Sequence, residues 1–154
     1  MKSVCFILIM SLLLSGTAVA ASIEITTGSG PDEGVRDSGG GWLKDGCLVQ
    51  VILARGGIVH PPGASGDPAH GDKLLLVSQV GYNFPFSRDE GKFDVQISAG
   101  GGDVIYVRAW NGPTAGQSER YGNSSTYNVR GFDGEMWNIS EATNEPAFEV
   151  GIKK

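Results

Sequence analysis

Both histidines of this 154-residue chain, His60 and His70, fall in one stretch rich in proline and glycine, together with Asp67 and Asp72. Imidazole nitrogens and carboxylate oxygens at such separations can converge on a metal ion. The oxygens of Asp67 and Asp72 by themselves would suit calcium, and no other cofactor is implied. The spacing completes no closed motif: there is no Asp-x-Asp-x-Asp-Gly loop and no His-x-x-x-His pair on a helix. The stretch therefore reads first as an exposed, turn-rich loop with its aspartates capping turns, and calcium stays as the alternative. Nucleophilic catalysis finds little to use. Ser65 sits in Gly63-Ala64-Ser65-Gly66 rather than in Gly-x-Ser-x-Gly, and a triad would have to draw its base from the same loop. Carboxylates for glycoside hydrolysis are scattered along the chain, and the glycine patterns that cradle phosphate are absent. The reading is a non-enzyme, with no catalytic residue assigned.

A second group of residues suits binding. Between Asp103 and Trp110 the chain is rich in Val, Ile, Tyr and Trp, the composition of a strand. If Ile105, Val107 and Ala109 point to the core, Tyr106, Arg108 and Trp110 line the other face. Aromatic faces beside a guanidinium form a stacking platform for sugar rings or a partner's side chains. Tyr121 and Tyr127 flank Asn123-Ser124-Ser125 and would extend it. In the opposite register Tyr106 and Trp110 are core and Arg108 lies under a loop, which is the reading favoured for a domain of this size.

These residues need elements to hold them. Past the first twenty residues no long segment shows a 3.6-residue apolar period, whereas period-two segments recur. Ser22–Thr27 alternates about Ile23 and Ile25, Lys92–Ser98 about Phe93, Val95 and Ile97, and the end of the chain about Phe148, Val150 and Ile152. Cys47–Ala54 and Leu74–Val80 are apolar throughout, as in strands covered on both sides or roofed by a loop. Thr126–Arg130 is a shorter strand. Ala99-Gly100-Gly101-Gly102 predicts an antiparallel hairpin between its flanking strands, and Asn111-Gly112-Pro113 ends the strand at Trp110. With 24 glycines and 7 prolines, a helical bundle is excluded. About seven strands at turn-marked intervals predict an all-β, two-sheet antiparallel sandwich, Ig-like or jelly-roll-like.

Residues 1–20 read as a secretory signal peptide: Lys2, an apolar run from Cys5 to Leu14, then Ala18-Val19-Ala20 as the cleavage pattern. The run is shorter than the roughly 20 residues that span a bilayer, so no membrane insertion is expected after cleavage. Removal of Cys5 leaves Cys47 as a buried small residue or as one end of an intermolecular bridge. Twelve basic against 17 acidic side chains give a net charge of −5, which repels phosphate and argues against nucleic acid as a partner. Residues 21–41 form an N-terminal strand and a glycine-rich linker, and 42–154 the sandwich. A strand tethered this way can pair within its own domain or complete a neighbour's sheet, with Ile23 and Ile25 filling alternate pockets. Head-to-tail donation builds open filaments.

The segment from Trp42 to Val129 resembles small Ig-like β-sandwich modules of secreted and surface bacterial proteins. The residues that carry the likeness are Trp42–Ile52, Gly71-Asp72, Gly91-Lys92-Phe93 and Gly102–Asn111. The resemblance implies an extracellular binding or structural role and names no catalytic residue. The sequence thus reads as a secreted structural or interaction module that self-associates or meets other surface proteins by strand donation. The alternative is a carbohydrate-binding module that takes polysaccharide on the Tyr106/Arg108/Trp110 face.

Overall fold

The structure, a computed structural model, describes residues 20–81, 90–140 and 146–154. The proposed signal sequence, apart from Ala20, lies outside the described residues. Eleven strands follow one another: β1 (Ala20–Thr26), β2 (Val35–Asp37), β3 (Leu48–Leu53), β4 (Lys73–Gln79), β5 (Asp94–Gly100), β6 (Val104–Trp110), β7 (Arg120–Asn123), β8 (Tyr127–Asn128), β9 (Glu135–Asn138), β10 (Phe148–Val150) and β11 (Ile152–Lys153). The larger sheet runs β11-β7-β6-β3-β4, with β8 also on β6, and a three-stranded sheet runs β5-β1-β9. A third, two-stranded sheet pairs β10 with β2. The all-β expectation holds, in several sheets around a shared core and without a closed barrel.

Alternation decides which side chains reach that core. In β1, Ala21, Ile23 and Ile25 are buried while Ser22, Glu24 and Thr26 face outward, and β5 buries Val95, Ile97 and Ala99. From the larger sheet come Val49 and Val51 of β3 and Ile105, Val107 and Ala109 of β6. Val35 and Val150 of the small sheet join the same cluster. Each fully buried Val or Ile contributes roughly 1.5–3 kcal/mol, so the two sheets are held chiefly by this shared layer.

Four expectations need correction. Among the described residues the strands number eleven rather than about seven, because short strands at sheet margins are defined by their neighbours and carry too few residues to show a period. Pairing is mixed: β1 runs parallel to β9, and β10 parallel to β2. The glycine turn after Ala99 does not make a hairpin, since β5 and β6 belong to different sheets. Their apolar faces approach one core from opposite sides, so the chain must cross from layer to layer. Asp103 holds that crossing: its carboxylate accepts the Gly100 N–H at 2.8 Å, and its own N–H donates to the Gly100 carbonyl. Finally, the segment expected to be a linker contains β2, whose Val35 is fully buried, so it packs into the body of the fold.

One close approach seats the small sheet against the large one. A Cβ on Gly122 of β7 would lie 2.1 Å from the Glu149 carbonyl oxygen and 3.0 Å from the Val150 Cα. Only hydrogen fits there. Gly122→Ala is expected to destabilise the fold by about 1–3 kcal/mol, read as a lowered urea midpoint. Gly116→Ala, where a Cβ would meet nothing nearer than 3.9 Å, should shift stability by no more than about 0.5 kcal/mol.

Candidate functional site

Strand β6 is buried on both faces. Tyr106, Arg108 and Trp110 point away from the main core, and all three are fully buried. Residues 54–72 leave the end of β3 and return at β4, and this loop roofs that face. The opposite register is therefore not what hides them: Ile105, Val107 and Ala109 face the core as the platform reading required, and a loop covers the platform. Trp110 Nε1 donates to Gln50 Oε1 at 3.0 Å, and Gln50 Nε2 donates to the Gly66 carbonyl at 3.4 Å. The roof lies close, since a Cβ on Gly66 would stand 3.3 Å from the Trp110 ring and 2.1 Å from the Ala115 Cβ. Tyr121 packs beside Trp110 with ring centroids 5.3 Å apart. The four proposed binding residues are thus brought together, but as a sealed cluster.

Asp72 fastens the end of the loop. Its side chain is fully buried. It accepts the Arg55 N–H at 2.8 Å and the Tyr106 hydroxyl at 3.0 Å, and His60 Nδ1 lies 3.1 Å away. Burial works to raise the Asp72 pKa, but the hydrogen bonds from Arg55, Tyr106 and His60 outweigh it and hold the carboxyl below its ordinary value. The Tyr106 phenol is pushed well above its usual range, first by burial, with Asp72 adding to the rise and Arg108 opposing it. Burial also lowers the Arg108 pKa against the attraction of Tyr106, Tyr121 and Asp72. Arg108 donates through Nε to Asn123 Oδ1 at 2.8 Å and through Nη2 to the Tyr106 hydroxyl at 3.2 Å and to the His60 carbonyl. Its Nη1 is buried without a hydrogen-bond partner.

Asp67 does not join Asp72. It is exposed, and its carboxylate accepts the Ser65 hydroxyl at 2.6 Å. Among the described residues no three His, Cys, Asp or Glu side chains converge as metal ligands, so the calcium expectation for Asp67 and Asp72 finds no assembled donor set. The physical reason is that Asp72 already spends its oxygens on the loop clasp. His60 and His70 rest against each other, ring centroids 5.0 Å apart. Cys47 is a buried free thiol whose pKa burial raises. Ile23 and Ile25 lie in β1, fully buried between β5 and β9.

No protein-family model matches this chain, and no curated protein or solved structure matches it either. Function must be argued from the molecule's own surfaces and strands.

Sequence reasoning missed a buried carboxylate. Glu135, the first residue of β9, is fully buried. It accepts the Tyr127 hydroxyl at 2.6 Å and the N–H groups of Arg130 and Gly131 at 2.9 and 3.1 Å. Burial would raise its pKa, but these donors prevail and lower it. The bonds tie the 129–134 turn to β9, the strand that flanks β1.

Two expectations follow. Trp110→Ala should cost about 3–5 kcal/mol of stability, measured by urea unfolding, because it empties a packed site. For Glu135, a depressed folded pKa means its stabilisation is complete above the ordinary glutamate value of about 4.3 and is lost as pH falls through the folded value. Glu135→Gln should therefore unfold at a lower urea concentration than the natural protein at pH 7. The gap should narrow progressively as unfolding is repeated toward pH 3.

Proposed function

We propose that this chain is a secreted, non-enzymatic structural module that self-associates, as a subunit of an extracellular fibre or surface layer, by donating β1 to a neighbour. The observation that carries this reading is the place of β1. Among the described residues it is the first strand, yet it lies in the middle of its sheet, antiparallel to β5 and parallel to β9. Without it, β5 and β9 would flank an empty slot, and the positions of Ala21, Ile23 and Ile25 would open the core. The segment to β2 contains Gly28, Gly30 and Gly34, with Gly28 and Gly34 at positive φ, so the strand is joined through chain of adaptable direction. A second copy's β1 would make the same contacts in that slot. Exchange then sets linker geometry and concentration against each other, with little change in contact energy.

The likeness to secreted Ig-like modules belongs to this reading, as does the signal peptide that would export the chain. The carbohydrate alternative gains no support, because Tyr106, Arg108 and Trp110 are covered.

Ser22 of β1 and Ser98 of β5 are register partners, and a disulfide between cysteines placed there would lock β1 at home. For residues 21–154, negative-stain microscopy is expected to show filaments that disappear in the oxidised Ser22→Cys/Ser98→Cys protein and return on reduction. Filaments indifferent to the lock, or a monomer at every concentration tried, would defeat the proposal.

A further inference from the structure

The two sheets expose their longest free edges on the same side. Among the described residues β4 closes one end of the larger sheet and β5 one end of the three-stranded sheet, and each has seven residues. Seven extended residues make an edge about 23 Å long. The opposite margins are shorter: β9 has four residues and β11 two. Between the β4 and β5 edges lies an open cleft of about 700 Å³, with Leu48, Leu76, Val77, Val95 and Pro113 in its walls and no charged side chain among the described lining residues. Val77 is 54% exposed and Leu74 36%. Ser78, in the same wall, has a buried hydroxyl without a partner.

We propose that this side is a lateral docking surface for a second copy of the chain, with β4 pairing antiparallel to β4 and β5 to β5 about one two-fold axis. Three observations select a second copy over a lone peptide strand. First, a single strand can satisfy one edge only. Two edges on facing sheets, which stack roughly 10 Å apart, are matched by a partner that presents the same two edges. Second, one axis can serve both edges. The Gly81 N–H donates to the Lys92 carbonyl, which brings the end of β4 beside the start of β5. Pairing each strand with its copy about its own middle residue, Leu76 in β4 and Ile97 in β5, would let a single two-fold relate both pairs, as a closed isologous contact requires. Third, the charges are compatible. In that register Lys73 faces Gln79 and Asp94 faces Gly100, so the only charged side chains of the two strands never meet their like. Neither strand contains proline, and their charges sit at the strand ends, where they guard the edge least.

This association is separate from exchange of β1, which uses the other edge of β5. The test is sedimentation of residues 21–154 with β1 locked by the oxidised Ser22→Cys/Ser98→Cys pair, which removes strand exchange. A concentration-dependent dimer is expected. Val77→Lys, a change at an exposed position, should weaken it at least tenfold while the far-ultraviolet circular dichroism stays that of the parent. A short thiol cross-linker should join Val77→Cys chains to each other and leave Met136→Cys chains, on the opposite margin, as monomers. A locked protein that remains monomeric at millimolar concentration, as it would if other residues of the same chain covered these edges, overturns the proposal. So does a dimer that Val77→Lys leaves intact.

Discussion

Burying β6 on both faces is the constraint around which this molecule is arranged. One face carries aliphatic residues and meets the second sheet. The other carries Tyr106, Arg108 and Trp110, which combine large apolar area with groups that need hydrogen bonds. Such a face cannot be covered by an apolar layer without leaving those groups unsatisfied. It is covered instead by a loop whose backbone carbonyls and one carboxylate supply acceptors. The Asp72 carboxylate reaches the Tyr106 hydroxyl, and the His60 carbonyl reaches Arg108. Gln50 links Trp110 to Gly66. The irregular roof and the strand beneath it specify each other.

The same accounting explains the second buried carboxylate. Glu135 is placed where β9 enters the three-stranded sheet, and its charge is met by one hydroxyl and two backbone N–H groups. Among the described residues neither Asp72 nor Glu135 has a lysine or arginine side chain in a direct ion pair. Both are held ionised by donors, a tyrosine hydroxyl from a strand in each case and backbone N–H groups from turns that would otherwise be free to choose another path. Buried charge here fixes loop geometry, which an apolar contact of equal area would leave less defined.

Edges complete the picture. The interior strands of both sheets have their backbone groups paired, whereas β4 and β5 leave a row unpaired on one shared side among the described residues. The first strand meanwhile fills the middle of its sheet while being covalently attached only at its C-terminal end to the described body of the fold. Backbone pairing is indifferent to whether the partner strand comes from the same chain. Both proposed associations rest on that indifference, one through replacement of an interior strand and one through extension of the margins.

The alternation of Ile23 and Ile25 and of Phe93, Val95 and Ile97 was legible because a two-residue period with one buried face is a local property of a strand, whereas in β6 the favoured register, with Tyr106 and Trp110 in the core, gave way to one that turns Ile105, Val107 and Ala109 inward. The continuous apolar runs marked β3 and β4 as strands, but the cover on both sides that such runs imply holds for β3 alone, because β4 lies at the end of its sheet with Leu74 and Val77 exposed; the glycine and proline content excluded a helical bundle. Three strands were not. Val35-Arg36-Asp37 sits among glycines, Arg120–Asn123 contains the Gly122 that close packing demands, and Glu135–Asn138 begins with a charged residue that a pattern reader turns outward. The destination of the Ala99–Gly102 turn was also hidden, since the same glycines serve a hairpin or a crossing between layers. Which face of β6 met solvent depended on where residues 54–72 came to rest, and Asp72 lies far from Tyr106 along the chain. Sequence by itself determined which segments extend and which side chains can be buried. Tertiary structure decided strand partners, the fate of the Tyr106–Trp110 face and the use of each buried charge, because these are contacts between residues distant in sequence, and no local period records them.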